Sequence, residues 1–101
     1  MIVRILEGTV VAGSEAAFAE AARASVPRFR DVPGVRTIHL ARRMTASGAM
    51  EFAWLSVWDD AGLLAAFDAA SGDPPAFVRE HASLIASWSL RHLETFEDPA
   101  S

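Results

Sequence analysis

The chain has 101 residues, a mean hydropathy of +0.22, a net charge of −4 at neutral pH and a pI of about 5.2. This size predicts one domain, and the acidic charge argues against a nucleic-acid partner bound through a broad positive face. The chain has no cysteine and no lysine, which excludes disulfides, thiolate metal sites, thiol nucleophiles and Schiff-base chemistry. No apolar run approaches the ~20 residues of a membrane span, and the start lacks a signal-peptide pattern, so we expect a cytoplasmic protein with no membrane partner.

The first two predicted elements are a strand and a helix. Residues 2–11 are rich in β-branched side chains, which favour a strand. Residues 14–26 are rich in alanine, and their larger apolar side chains recur close to helical spacing, which predicts an amphipathic helix. Ser14 is a favourable N-cap residue, and Pro27 with the segment RFRDVPG that follows it is expected to close the helix, because proline has no backbone N–H.

A β-hairpin is predicted next. Pro33 and Gly34 form a turn into a strand over 35–45, and small, flexible residues connect that strand to another over 50–58. Successive residues of a strand point to opposite faces, so the strand over 50–58 is apolar on both of its faces. One face carries Phe52, Trp54 and Trp58, and the other carries Ala53, Leu55 and Val57.

The second half predicts two helices and a last strand. Asp59 or Asp60 caps the first helix, and the prolines after Asp73 suit the start of the second. The pattern alternates again near the C-terminus, which predicts a strand followed by a frayed tail. The predicted helices cover 60–70 and 75–87, the strand covers 87–97, and the tail covers 98–101.

The element order predicts the fold and a partner. The order β-α-β-β-α-β is the ferredoxin-like pattern, an α+β fold with an antiparallel four-stranded sheet and helices on one face. The other face of the sheet, left in water, would expose more apolar surface than a soluble monomer usually tolerates. Burial of several hundred Å² of this apolar surface against a partner would stabilise the complex by on the order of 10 kcal/mol, before the cost of association is subtracted. We therefore predict a single domain over 1–97 that forms a homodimer, sheet against sheet.

Three stretches of the chain carry a family resemblance. They are VPGV at 32–35, SVWDDAGLLAAF at 56–67 and the helical segment Arg79–His81. Together they resemble the antibiotic-biosynthesis monooxygenase family of the dimeric α/β-barrel superfamily, over residues 2–97. That family includes cofactor-free oxygenases of aromatic polyketides and quinols as well as heme-degrading enzymes. The resemblance implies a pocket for a small aromatic or apolar ligand between the sheet and the helices of each subunit.

The resemblance to the polyketide oxygenases points to specific residues. Trp58 matches the tryptophan at the end of their strand. Trp54 stands where those enzymes have an asparagine, and Leu64 stands where they have a tyrosine. Arg79 lies within one residue of their helical arginine.

The resemblance to the heme-degrading branch gives a lower-ranked alternative, in which heme is the ligand. Phe67 matches a helical tryptophan that lies against the heme. His81 would match the iron-ligating histidine if about four extra residues are allowed. Leu6 or Glu7 stands where that branch has an asparagine on its first strand.

The spacing of the aromatic residues indicates a binding site. If the Trp54 face of its strand looks toward the helices, it forms an aromatic wall that could hold a flat, electron-rich substrate by stacking. The alternative is that these rings only fill the core. The predicted substrate-binding residues are Phe52, Trp54, Trp58, Leu64, Phe67, Phe77 and Arg79.

The histidines give one catalytic candidate and no metal site. His81 lies at the edge of the apolar stripe of its helix, where it could accept a phenolic proton, or it is a half-buried structural histidine. Helical geometry points Arg79 away from that stripe, which favours a surface role. Whether His39 shares a face with Trp54 depends on the hairpin register. Together with His92, these histidines lack the spacing of metal ligands.

The leading functional hypothesis is a homodimeric, monooxygenase-like enzyme that oxygenates an aromatic or quinol-type molecule without a cofactor. A site with few catalytic side chains is sufficient for this reaction, because a deprotonated hydroquinone can itself pass an electron to O2 in a dry pocket. The second hypothesis is a non-catalytic dimer that binds a small apolar ligand or serves as an interaction module. Heme degradation is the third.

Overall fold

The computed structural model describes residues 1–96, and its elements follow the predicted order. The strands are β1 (Ile2–Val10), β2 (Val35–Met44), β3 (Met50–Trp58) and β4 (Ile85–Glu94). The helices are α1 (Glu15–Arg30), α2 (Ala61–Ser71) and α3 (Ala76–Glu80), with a 3₁₀ turn over Ala82–Leu84. The predicted tail at 98–101 and the predicted strand end at residue 97 lie outside the described residues.

The four strands form one antiparallel sheet in the order β2-β3-β1-β4. Strands β3 and β1 are in the centre of the sheet, and β2 and β4 are at its edges. The helices cover one side of the sheet. This confirms the predicted ferredoxin-like α+β fold. Within residues 1–96, no helix is long and apolar enough to cross a membrane.

The two faces of the sheet differ in what covers them. On β3, the side chains of Phe52, Trp54, Ser56 and Trp58 share one face, as the alternation predicted, and this face is the one buried under the helices. We call this side the helix-covered face and the other side the open face. Trp54 pairs with Leu40 and Leu55 pairs with His39, so the register places His39 on the open face. His39 therefore does not share a face with Trp54.

The prediction that Pro27 ends the first helix is wrong. The helix α1 continues through Pro27 to Arg30. Pro27 is exposed, so water can reach the carbonyl one turn earlier that loses its backbone donor. The added turn brings Phe29 against Trp54 and Phe67, with ring centroids 4.4 and 5.0 Å apart. This aromatic packing offsets the lost hydrogen bond.

The predicted helix over 75–87 is too long. The helix α3 ends at Glu80, and a 3₁₀ turn leads directly into β4. Ile85 pairs with Val10 in the sheet, and the N–H of Val11 donates to the carbonyl of Leu84 at 2.9 Å. Because residues from 85 onward pair with β1, they form a strand and not a helix. Strand β4 therefore begins two residues before its predicted start at 87.

The two predicted N-caps have different outcomes. Asp60 caps α2, because its Oδ1 accepts the N–H of Leu63 at 2.9 Å. Ser14 stands at the N-cap position of α1, but its side chain makes no capping hydrogen bond. The carboxylate of Glu15 instead accepts the N–H of Gly13 at 3.0 Å, which satisfies a donor just before the helix.

Candidate functional site

A cavity of about 280 Å³ lies between the helix-covered face and the helices. Strands β1 and β3 form its floor, and the helices and the loop before α3 form its walls. We call it the inter-layer cavity. It is lined by Arg4, Leu6, Ser25, Arg28, Phe29, Trp54, Phe67, Ala70, Ser71, Pro75, Ala76, Phe77 and Glu80.

A larger depression of about 480 Å³ lies on the open face. Its lining is rich in charged and hydroxyl side chains, among them Glu7, Arg43 and Glu51. It is a trough on the surface of the sheet, whereas the inter-layer cavity is walled by aromatic rings from two layers. Pockets for aromatic molecules are concave and mostly apolar, so we take the inter-layer cavity as the candidate site.

Aromatic rings form the wall of the inter-layer cavity. Phe29 contacts both Trp54 and Phe67, and Phe67 lies 5.3 Å from Trp58. These pairs are tilted, with interplanar angles between 43° and 57°. Tilted rings at such distances attract each other and pack rigidly, so they give a preformed surface for a flat molecule.

Trp54 is fixed in this wall by a hydrogen bond. Its Nε1 donates to the Oγ of Ser25 at 3.0 Å, and the Ser25 hydroxyl donates to the carbonyl of Ala22 at 2.6 Å. All three residues are buried. The indole nitrogen is therefore satisfied within the protein, and the Trp54 ring, which is 2% exposed, is held as a fixed part of the wall.

Three predicted binding residues line the cavity and three lie in the core. Trp54, Phe67 and Phe77 are lining residues. Phe52, Trp58 and Leu64 are at most 5% exposed and do not line the cavity. The ring of Phe52 lies 4.5 Å from that of Phe18, and Trp58 Nε1 donates to Ser56 Oγ.

Arg79 faces solvent beside the loop before α3. Its Nη1 donates to the carbonyl oxygens of Ser71 and Pro74, at 2.8 and 2.6 Å. These bonds tie α3 to the end of α2 and to the loop between them. Arg79 holds this loop in place and does not line the cavity.

His81 lies at the end of α3, just outside the cavity. Its ring is half-buried and lies 4.8 Å from the ring of Phe77, which does line the cavity. Its backbone N–H donates to the carbonyl of Phe77 at 3.1 Å. His81 is not among the lining residues, whereas its neighbour Glu80 is. Its role as a base stays a prediction.

A buried ion pair forms the polar end of the cavity. Arg4 on β1 is 2% exposed, and its Nε donates to Oδ1 of Asp68 on α2 at 2.8 Å. The guanidinium carbon of Arg4 lies 5.3 Å from the ring centroid of Phe67. Burial of a cation is costly without such partners, so the carboxylate and the aromatic face together keep Arg4 in this position.

His92 approaches the second oxygen of the same carboxylate. Its Nε2 lies 2.8 Å from Oδ2 of Asp68, which is an ion-pair distance. The two groups are not aligned as a hydrogen bond, and this buried Oδ2 has no hydrogen-bond partner within residues 1–96. His92 pairs with Arg4 across β1 and β4. We call Arg4, Asp68 and His92 the Arg4 cluster.

The sequence analysis missed the Arg4 cluster, although one signal was available. Arg4 stands between Ile2 and Leu6 at alternating positions of β1, so it shares their face. A charged residue on the helix-covered side of a central strand requires a buried partner. No local pattern identifies that partner, because Asp68 lies 64 residues further along the chain.

An ion pair joins two walls at the mouth of the cavity. Arg28 Nη1 lies 3.2 Å from Glu80 Oε2, and both side chains line the cavity while remaining exposed. The sequence analysis missed this pair because it ended the first helix before Arg28. Exposed pairs of this kind add little stability, so its main effect is on the charge at the entrance.

Over residues 1–96, no three His, Cys, Asp or Glu side chains cluster in a way that could hold a metal ion.

Comparisons with known proteins identify relatives of the chain. The sequence model of the family named "antibiotic biosynthesis monooxygenase" matches residues 1–78. No curated protein sequence matches the chain.

Solved structures share the fold at low sequence identity. A candidate antibiotic biosynthesis monooxygenase of Deinococcus radiodurans has a TM-score of 0.80 and 15% identity, over 100% of this chain and 98% of that chain. A candidate from Nitrosomonas europaea has a TM-score of 0.74 and 16% identity, over 96% and 100%. The heme-degrader MhuD of Mycobacterium tuberculosis, with two hemes bound in its active site, has a TM-score of 0.70 and 18% identity, over 99% and 100%.

Proposed function

Because the chain belongs to the antibiotic biosynthesis monooxygenase family, we propose that it oxygenates a small aromatic or quinol-type molecule without a cofactor. The molecule would occupy the inter-layer cavity of each subunit. The observation that carries this proposal is the aromatic wall formed by Phe29, Trp54 and Phe67 on one side of the cavity. A volume of about 280 Å³ suits a small ligand, since pockets for drug-sized molecules begin at about 300 Å³.

Such a reaction balances without an external reductant. An anthrone carries a CH2 group between two aromatic rings, and removal of a proton leaves an electron-rich carbanion. The carbanion passes an electron to O2, the two radicals combine into a peroxide, and loss of water leaves a C=O group. One oxygen atom enters the product and the other becomes water. The protein has to remove a proton, exclude water and align the ring.

Two side chains are candidates for the proton acceptor of this reaction. His81 is the predicted base, and its ring lies 4.8 Å from the ring of Phe77, which lines the cavity. Glu80 is the one carboxylate among the cavity-lining residues of the described chain. Each of these two side chains can be removed separately, which makes the assignment testable.

We also propose that the active form is a homodimer packed through the open faces. On the central strands this face carries Val3, Ile5, Leu55 and Val57, and Leu93 on β4 is 48% exposed. Charged pairs, Glu7 with Arg91 and Arg43 with Glu51, border this apolar surface. An apolar centre with a polar rim is typical of a protein–protein interface.

Heme does not fit the inter-layer cavity as a bound group. The relative MhuD binds heme, but no histidine stands among the cavity-lining residues within 1–96, and the ring of His81 lies outside the lining, 4.8 Å from that of Phe77. The lining therefore offers no axial imidazole ligand. We propose no reaction step that depends on heme.

Oxygen uptake tests the proposed function. Anthrones and hydroquinones are supplied to the wild type, to His81→Ala and to Glu80→Gln, with Glu20→Gln, at an exposed carboxylate of α1 away from the cavity, as the matched control. We expect uptake above the rate without protein for at least one substrate, with a loss in one of the first two variants and none in the control. Equal rates in wild type and His81→Ala would remove His81 from the mechanism. Binding of a substrate without any added uptake would favour the non-catalytic binding dimer.

A further inference from the structure

We infer that Arg4 is an anion-binding residue of the inter-layer cavity, and that the ligand is a planar aromatic molecule with an acidic oxygen group. The group is a carboxylate or an ionised phenol, which share the same charged oxygen. The inference rests on the proposed function for the aromatic part of the ligand, and it adds the chemistry of the polar end.

The donors of Arg4 are only partly used by the protein. A guanidinium group has five N–H donors. Among the described residues, Arg4 makes one hydrogen bond, from Nε to Asp68 Oδ1. Arg4 is 2% exposed to solvent and lines the cavity. Its two terminal amino groups make no hydrogen bond within residues 1–96 and are not among the fully buried polar atoms, so they keep accessible surface. Because Arg4 lines the cavity, this surface is available to whatever occupies the cavity.

Other polar groups along the cavity are engaged with each other. The Trp54 indole donates to Ser25, and the Ser25 hydroxyl donates to a backbone carbonyl. At the mouth, Arg28 is paired with Glu80. Arg4 is also paired, with Asp68, but only through Nε, and it is buried where Arg28 is exposed. Its terminal amino groups are thus the donors at the buried end of the cavity, and a ligand oxygen placed there gains charge-assisted hydrogen bonds in surroundings with little water.

The guanidinium group is also held in a fixed orientation. Asp68 binds it along the Nε edge, and the ring of Phe67 lies against its face. His92 contacts the far oxygen of Asp68, so the carboxylate is enclosed from both sides. A guanidinium group in a fixed orientation presents two N–H donors in one plane, which match the two oxygen atoms of a carboxylate better than a flexible ammonium group does. We therefore expect arginine to be required at this position.

Calorimetric titration with three matched probes tests the inference. The probes are naphthoate, which is a carboxylate, naphthamide, which has the same shape without the charge, and naphthol. We expect the wild type to bind naphthoate about tenfold more tightly than naphthamide, as one charge-assisted hydrogen bond would give. A preference for naphthol over naphthamide, without one for naphthoate, would assign the oxygen to a phenol.

Two arginine variants connect the preference to Arg4. Arg4→Lys keeps a positive charge beside Asp68 but loses the planar fork, and we expect the preference for the charged probe to fall to about twofold or less. Arg30→Lys, at an exposed arginine at the end of α1, should keep the wild-type preference. If Arg4→Lys fails to fold, NMR of the guanidinium groups of the wild type replaces it: naphthoate, and not naphthamide, should shift the terminal nitrogens of Arg4.

The outcomes separate this inference from the proposed function. Equal affinities for all three probes in the wild type would overturn the role of Arg4 and leave an aromatic pocket in place. An unchanged preference in Arg4→Lys would also overturn it, as would the absence of an NMR shift. No binding of any probe would contradict the aromatic pocket itself, and with it this inference.

Discussion

The Nε1 of Trp54 donates its hydrogen bond to Ser25 Oγ at 3.0 Å, which joins the floor of the inter-layer cavity to α1. Replacement of Ser25 by alanine would leave a buried indole N–H without a partner. We expect Ser25→Ala to lower the free energy of unfolding by about 1–3 kcal/mol, measured by urea denaturation. Trp54→Phe in the Ser25→Ala background provides the double-mutant cycle. Strictly additive losses would show that the two side chains are not coupled.

The apolar centre of the open face predicts the assembly state. Leu55 is half-buried there, next to Val57 on the same face of β3. We expect the wild type to sediment at twice the 10.9 kDa mass of the chain, and Leu55→Asp to sediment as a single chain, because an unpaired charge in a sheet-to-sheet interface is strongly unfavourable. Leu63→Asp, at a leucine of α2 that is 41% exposed, should not change the mass. A wild type that sediments as one chain at micromolar concentration would contradict the dimer.

The close approach of β1 and β4 leaves no room for a side chain at Gly8. A Cβ atom there would overlap the carbonyl oxygen of Ser87 and lie 2.8 Å from the Cα of Trp88. Both are backbone atoms, so the strands would have to move apart. We expect Gly8→Ala to cost at least about 2 kcal/mol in chemical denaturation. Gly62→Ala, in the first turn of α2, places its Cβ 3.1 Å from the capping Oδ1 of Asp60. We expect it to cost less than Gly8→Ala, because a side-chain oxygen can shift more easily than two paired strands.

Glu15 predicts a pH-dependent contribution to stability. Its own backbone N–H and then that of Gly13 donate to the carboxylate, and these hydrogen bonds lower its pKa below the ordinary value of 4.5. A lowered pKa in the folded state means that the stabilisation is present above pH 4.5 and is lost as the pH falls through the folded value.

The corresponding measurement compares denaturation midpoints at about pH 7 and about pH 3. We expect Glu15→Gln to be less stable than the wild type at neutral pH, with the difference narrowing in acid. Ala16→Gln, which adds an amide on the neighbouring residue without removing a carboxylate, serves as the control. A difference for Glu15→Gln that stays constant with pH would show that the charge of Glu15 does not contribute.

The fold was predictable because strand alternation and helical spacing are local patterns. Phe52, Trp54 and Trp58 lie on the helix-covered face as the alternation of β3 required. The end of α1 was not predictable in the same way. The contacts of Phe29 with rings on β3 and α2 outweigh the local effect of Pro27, and they depend on tertiary structure.

The candidate site was predictable for its rings and less so for its charges. Trp54, Phe67 and Phe77 could be named because aromatic residues at regular spacing mark an inward face. Asp68 and His92 could not be connected to Arg4, because strand order and helix packing bring them together from distant parts of the chain. Whether His39 belonged to the site depended on a single-residue choice of register, which only the paired strands resolve.

The central position of β1 has an evolutionary consequence. Arg4 stands on this strand, which is hydrogen-bonded to a neighbouring strand on either side. Most of the aromatic and alanine side chains that line the inter-layer cavity belong instead to the helices. Substitutions at Phe29, Ala70 or Phe77 would therefore alter the size and outline of an accepted molecule while the sheet stays intact. On the proposed role of Arg4, relatives that differ at these helical positions would bind ligands of different outline and keep the same preference for an acidic oxygen group.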